Sequence, residues 1–247
     1  MMAISSVFIL GVRVDAVTMR QTLAWIEAAV AERQPRQICT ANPEFIMTAR
    51  RDPEFRQVLN RADLVLPDGV GLLWAARQRG RRLPERVAGS DLIYRLAELA
   101  GQHGWRVYFL GAAEGVARAA AERLQSRCPG LVIAGAFAGD PSPASAPAQV
   151  SAIQAARPDV LLVAYGAPAQ DKWIARHKDA LGVPVSVGVG GSFDFVAGVA
   201  RRAPGWAQRL GLEWLHRLWQ QPWRARRIFS AVIAFPLAVL AAGRGPD

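Results

Sequence analysis

The chain has 247 residues, 51% of them hydrophobic, with 30 Lys and Arg against 20 Asp and Glu for a formal charge of +10. That apolar content suffices for a sizeable core and excludes a disordered chain. The charge calls for an anionic partner, which a nucleotide phosphate, a nucleic acid or an acidic membrane surface would each supply. Two cysteines, Cys39 and Cys128, give no disulfide framework and fit a reducing compartment. The apolar patch at 7–10 is too short for a signal-peptide core, and no run of about 20 apolar residues marks an ordinary transmembrane helix.

In chain order, a strand is predicted over 6–10 and a helix over 18–33, capped by Thr18 and carrying Leu23, Ile26 and Val30 as its apolar stripe. A second strand over 36–40 ends in Thr40-Ala41-Asn42-Pro43-Glu44, with Pro43 in the first turn of the next helix. Asp52-Pro53 opens a short helix ending near Asn60. The apolar run 64–66 is a third strand, stopped by Pro67, which cannot donate to a ladder. Asp68 then stands at its carboxyl end, Gly69 permits a sharp turn, and a helix follows from Val70. After a basic loop over 79–86, a helix runs to Ala100 with Ser90 as its N-cap. Strands over 105–110, 131–137, 159–165 and 183–189 alternate with helices over 116–127, 148–156 and 172–180. The last strand leads into Gly190-Gly191-Ser192-Phe193-Asp194. Such alternation predicts an α/β fold, a Rossmann-like, mostly parallel sheet with helices on both faces.

Composition changes near Arg201. From 201 to 227 there are seven arginines against one acid, Glu213, and four of the eight tryptophans, Trp206, Trp214, Trp219 and Trp223. This predicts an α/β domain over 1–199 and a basic, Trp-rich helical appendage over 200–247. The apolar stretch 228–242, broken by Pro236, is short for a span and reads as a helix lying on or dipping into a membrane. The competing reading is a helix packed on the protein core or on another subunit.

Common signatures are missing: no P-loop, no Asp-x-Asp magnesium clamp, no nucleophile elbow, and three histidines too dispersed for zinc. What remains is a set of polar and glycine residues at strand ends: Thr40 and Asn42, Asp68, Gly111 and Glu114, Gly166 and Gln170, Gly190 and Ser192. A parallel sheet gathers such ends along one edge, where ligands bind in open α/β folds, and glycine turns at helix starts offer backbone N–H groups to phosphate.

Thr40-x-Asn42-x-Glu44, Pro67-Asp68-Gly69-x-Gly71, Arg86-Val87-Ala88-Gly89-Ser90-Asp91, Gly166-x-Pro168-x-Gln170, Gly190-Gly191-Ser192-Phe193-Asp194, Arg202-Ala203-Pro204-x-Trp206 and Gly211-Leu212-Glu213-Trp214 occur in this order. Together they closely resemble the WecG/TagA/CpsF family of bacterial glycosyltransferases (glycosyltransferase family 26). The resemblance implies transfer of a sugar from a UDP-sugar, with glucose, N-acetylmannosamine or its uronic acid as the sugar, to an undecaprenyl-diphosphate-linked saccharide in surface polysaccharide synthesis. It implies inversion, no metal or other cofactor, and peripheral attachment to the anionic cytoplasmic face of the inner membrane, and it allows a homo-oligomer. By resemblance Asp68 is the general base, Thr40 and Asn42 act beside it, and Gln170 lines the site. Arg86 binds phosphate, and Arg217, Arg224 and Arg227 arrive from the appendage. Members often carry Glu after that Gln; here it is Asp171. The residues leave two other classes open. An NAD(P)-dependent oxidoreductase fits the layers, but the glycine fingerprint is missing. A nucleic-acid-binding protein fits the charge and Trp/Arg interleaving, but much of that charge adjoins an apolar tail, which favours a membrane and no nucleic acid.

Overall fold

The computed structural model describes residues 4–201, 203, 213–220 and 225–243. Six parallel strands form the central sheet: β3 (Arg36–Ala41), β4 (Leu64–Pro67), β5 (Arg106–Gly111), β6 (Val132–Phe137), β7 (Val160–Ala164) and β8 (Val185–Gly188), in the order β4-β3-β8-β7-β5-β6. The inner strands are buried on both sides, as their continuous apolar runs require. One face carries α1 (Met19–Glu32), α5 (Gly89–His103), α6 (Val116–Arg127) and α9 (Ser192–Ala197), packed over Ile38, Phe109, Leu162 and Val187. The other carries α2 (Pro43–Ala49), α3 (Pro53–Arg61), α4 (Val70–Gln78), α7 (Ala146–Ala156) and α8 (Ala169–Leu181), over Cys39, Val65, Leu161 and Val163. The expected α/β architecture with helices on both faces is what forms.

Several local expectations hold for the reasons given. Thr18 caps α1 in a capping box with Gln21, Pro43 stands in the first turn of α2 and Asp52-Pro53 opens α3; that Asn42 and Asp52 cap these two helices is an addition of the structure. Others are corrected. The first strand, β1 (Ser6–Ile9), stops one residue early, because Leu10 and Gly11 both take positive φ (51° and 80°) in a two-residue turn. The chain then returns as an unforeseen antiparallel strand, β2 (Val12–Asp15). Such turns are usually signalled by Asn-Gly, and Leu-Gly carries no such signal. The hairpin covers the sheet's edge: the Asp15 carboxylate accepts from the Val65 N–H (2.7 Å) and the Ser6 hydroxyl (2.7 Å), so one edge donor of β4 is satisfied internally. Pro67 is the last residue of β4 rather than the residue after it, which an edge strand tolerates. Ser90 does not cap α5; the cap position lies two residues earlier, at Ala88, and the helix begins at Gly89.

Beyond the sheet lie α10 (Glu213–Gln220) and α11 (Ala225–Ala242). Pro236 does not break α11. A π-helical segment, Ser230–Ala234, precedes the α-helical turns Phe235–Ala242. The wider turn accommodates a proline that has no N–H and whose ring crowds the carbonyl four residues earlier. Phe235 (0% exposed) and Val239 join the core cluster of α2 and α4, while Phe229, Ile233, Leu237 and Leu240 are exposed. The helix therefore packs on the protein along one side only. By length and composition alone, Ala225–Ala242 is also apolar enough to cross a membrane.

Candidate active site

In the sheet β3 and β8 are neighbours, yet β3 leads into α2 on one face and β8 into α9 on the other. Their connections diverge and leave a crevice at the carboxyl ends, the usual ligand position in open α/β sheets. A cavity of about 620 Å³ occupies this crevice, walled by strand ends below and by α11 on one flank. Asp68, Thr40, Asn42, Arg86, Gln170, Gly190, Ser192 and Arg227 all line it.

Asp68 is half-buried at the end of β4. Its N–H donates to the Ala41 carbonyl (2.7 Å), and its Oδ2 accepts from the N–H of Gly89 (3.1 Å), the first residue of α5. An unpaired helix N–H thus meets a carboxylate at the favourable end of the helix dipole. Gly69 takes φ +142°, which admits the turn into α4. Gly71 has no such backbone need; a Cβ there would lie 2.8 Å from Pro43 Cγ. The second glycine of Pro67-Asp68-Gly69-x-Gly71 lets α4 close on the start of α2, bringing the Asp68 and Asn42 turns side by side.

Thr40 Oγ1 donates to the Gly188 carbonyl on β8 (3.2 Å), and Asn42 Oδ1 accepts from the Phe45 N–H (3.0 Å). Gln170, 1% exposed, accepts the Gly190 N–H on its Oε1 (2.9 Å). The Ser192 hydroxyl donates to the Val189 carbonyl (2.7 Å). Thr40 and Gln170 knit neighbouring strand ends together, while Asn42 and Ser192 close local turns, so the cleft floor is hydrogen-bonded before any ligand arrives. The start of α8 is pinned in turn by Lys172, which bridges Asp52 (2.7 Å) and Glu54 (2.7 Å) on α3. Arg86 reaches Asp91 (3.4 Å), and Arg227 pairs with Glu44 and reaches the Ala167 carbonyl (3.5 Å), joining α11 to the rim.

Gly111 is not brought into the cavity wall. It ends β5 with φ +106°, and a Cβ would stand 2.7 Å from the Ala164 carbonyl carbon. The residue permits β5 and β7 to approach, and Gly111→Ala is expected to cost more than about 2 kcal/mol of stability, from strain and overpacking. Equal thermal midpoints in the two proteins would contradict this. Arg224 lies outside the described residues, as does the side chain of Arg217.

Sequence reasoning missed Trp74 on α4 and the apolar wall supplied by Ile228, Val232 and Phe235. Their spacing of three and four was visible, but a helix apolar on all sides does not disclose which side faces a site. It also missed the environment of Asp171. This carboxyl is 0% exposed, and neither oxygen has a partner at hydrogen-bond geometry, although the Cys39 thiol and the Gln170 amide lie close enough to favour its charged form. Burial outweighs them and pushes its pKa up to about 7.

Sequence comparison extends this picture. The sequence model of the glycosyl transferase WecG/TagA/CpsF family matches residues 7–246. The chain is 36% identical over 203 residues (82% of this chain, 78% of the relative) to an N-acetylglucosaminyldiphosphoundecaprenol N-acetyl-beta-D-mannosaminyltransferase of Bacillus subtilis (strain 168). A protein of the same name from Bacillus spizizenii is 39% identical over 193 residues (78% of this chain, 74% of the relative). Another, from Staphylococcus aureus (strain MRSA252), is 31% identical over 217 residues (86% and 84%).

Proposed function

This chain belongs to the WecG/TagA/CpsF family of glycosyl transferases, and on that premise we propose that it transfers a sugar from a UDP-sugar to a polyprenyl-diphosphate-linked saccharide. Inversion at the anomeric carbon and independence of metal are part of the proposal. Among UDP-glucose, UDP-N-acetylmannosamine and its uronic acid, the relatives' names favour N-acetylmannosamine as the sugar and an undecaprenyl-diphosphate-linked N-acetylglucosamine as the acceptor. The observation that carries the reading is Asp68, a carboxylate fixed at the floor of a cavity whose other polar groups are largely neutral or cationic.

The acceptor hydroxyl attacks C1 of the donor sugar while Asp68 takes its proton. The bond from C1 to the oxygen of UDP breaks, and UDP leaves with that electron pair. Its growing charge is met by guanidinium groups, which bind phosphate bidentately: Arg86 at the rim, and Arg217, Arg224 and Arg227 from the appendage. Thr40, Asn42 and Gln170 set the cleft floor, and the Gly190–Ser192 turn faces the donor's phosphates. A cavity of about 620 Å³ falls in the range of about 300–1,000 Å³ usual for ligand sites.

In this reading residues 1–199 are the transferase domain and 200–247 an appendage that completes the site. The appendage attaches the enzyme to the anionic cytoplasmic face of the inner membrane, where the lipid-linked acceptor resides. The exposed side of α11 and the arginines preceding it support this. The test is a donor panel against synthetic polyprenyl-diphosphate N-acetylglucosamine, in chelator. UDP release with UDP-N-acetylmannosamine is expected; no turnover with any UDP-sugar overturns the reading.

A further inference from the structure

We propose that Asp171 is a positioning residue of this site: buried behind Gln170, it fixes the orientation of the Gln170 amide and, through it, the Gly190–Ser192 turn that floors the cleft. The proposal rests on the glycosyltransferase reading only in taking the cleft as the site.

The geometry is specific. Gln170 and Asp171 both lie against the Cα of Gly188 on β8: a Cβ there would stand 2.6 Å from Gln170 Nε2 and 2.8 Å from Asp171 Oδ1. The nitrogen end of the amide and one carboxyl oxygen therefore share the space that a glycine leaves open. The oxygen end points the other way and accepts the Gly190 N–H at 2.9 Å. A primary amide has a donor end and an acceptor end of similar shape, so packing alone does not choose between them. Flipped, the NH2 group would meet the Gly190 N–H, donor against donor. Negative charge beside the nitrogen end favours the observed orientation electrostatically, and the Asp171 carboxyl, close to that end without closing a hydrogen bond to it, is its source.

Its other polar neighbour is the Cys39 thiol, a weak donor that lies close enough to favour the charged form. Gln37 Nε2 donates to the Asp171 backbone carbonyl (2.9 Å), not to the carboxyl, and the neighbouring Lys172 is turned away to Asp52 and Glu54. The carboxyl is fully buried without a hydrogen bond of its own, an arrangement that costs stability. Departures from polar satisfaction of this kind gather where function requires them. Burial also raises the carboxyl's pKa, a second expression of the same cost.

The test is amide hydrogen exchange at Gly190 in the full chain, which needs no substrate, together with kcat/KM for UDP-sugar. Gln170→Ala removes the acceptor and should speed Gly190 exchange at least about tenfold. Asp171→Ala should speed it comparably, lower kcat/KM about tenfold, and leave the thermal midpoint unchanged or higher. In the Gln170→Ala background, Asp171→Ala should add less than about twofold to either effect, because residues acting through one another are not additive. Asp171→Asn, which keeps an acceptor oxygen, should restore protection to within about twofold of the natural protein. Unchanged Gly190 exchange in Asp171→Ala, fully additive effects in the double variant, no rescue by Asn or a lowered midpoint would each overturn the proposal. If the natural protein transfers no sugar, the functional reading fails while the exchange measurement still decides this one.

Discussion

Asp68→Asn is expected to lower turnover by about 10²–10⁴, the scale of a lost general base, while UDP affinity changes less than about threefold. The local structure makes this substitution informative. Asp68 Oδ2 accepts the first N–H of α5, and an Asn oxygen can accept it equally well, so the turn and the helix start should survive. What Asn lacks is the capacity to take a proton from the acceptor hydroxyl. Asp68→Ala removes both functions and should also weaken the start of α5, by about 1 kcal/mol as for a lost cap. Turnover by the Asn variant within a few-fold of the natural enzyme would remove Asp68 from the base role. A large loss of UDP affinity would instead make it a donor-binding residue.

Glutamates placed at both Leu237 and Leu240 should release the enzyme from anionic vesicles in flotation, with UDP affinity unchanged. These side chains are 62% and 58% exposed, and leucine gains about 1.5–3 kcal/mol on full burial. Losing two such contacts and adding two negative charges beside acidic lipid should lower the bound fraction about a hundredfold or more. Phe235→Ala tests the opposite side of the same helix. Phe235 is fully buried against α2 and α4 and walls the cavity, and truncation of a core Phe costs about 3–5 kcal/mol. That variant should lose stability and donor affinity. Unchanged flotation of the Leu237/Leu240 variant would rule out a membrane role for the exposed side.

The order of strands and helices was legible because a parallel sheet needs long apolar runs at its strands and periodic helices between them. The cap at Thr18 was legible because a short hydroxyl side chain stands one residue before a periodic helix, whereas Ser90 resembled a cap and lies inside its helix. The site was partly legible: polar residues at strand ends had to gather on one edge. Gly111 obeyed that pattern and still lies outside the cavity, since a glycine at a strand end serves close strand packing as readily as ligand binding. The β1–β2 hairpin escaped because Leu10-Gly11 lacks the usual turn chemistry. The oxidoreductase reading rested on layers and the nucleic-acid reading on charge and Trp/Arg interleaving, general properties that do not by themselves specify a function.

By itself the sequence determined the layer architecture, the edge on which the cavity opens and that a carboxylate, Asp68, stands at that edge. Those follow from periodicity and from chain direction, which are local and additive along the chain. Only the tertiary structure decided which side of α11 is buried, that Gly71 must yield to Pro43, and that Asp171 lies unpaired behind Gln170. Each of these depends on the approach of segments far apart in sequence, as when α8, with Gln170 and Asp171, meets β8 at Gly188. Which atoms then compete for one space is set by packing, and no pattern along the chain records it.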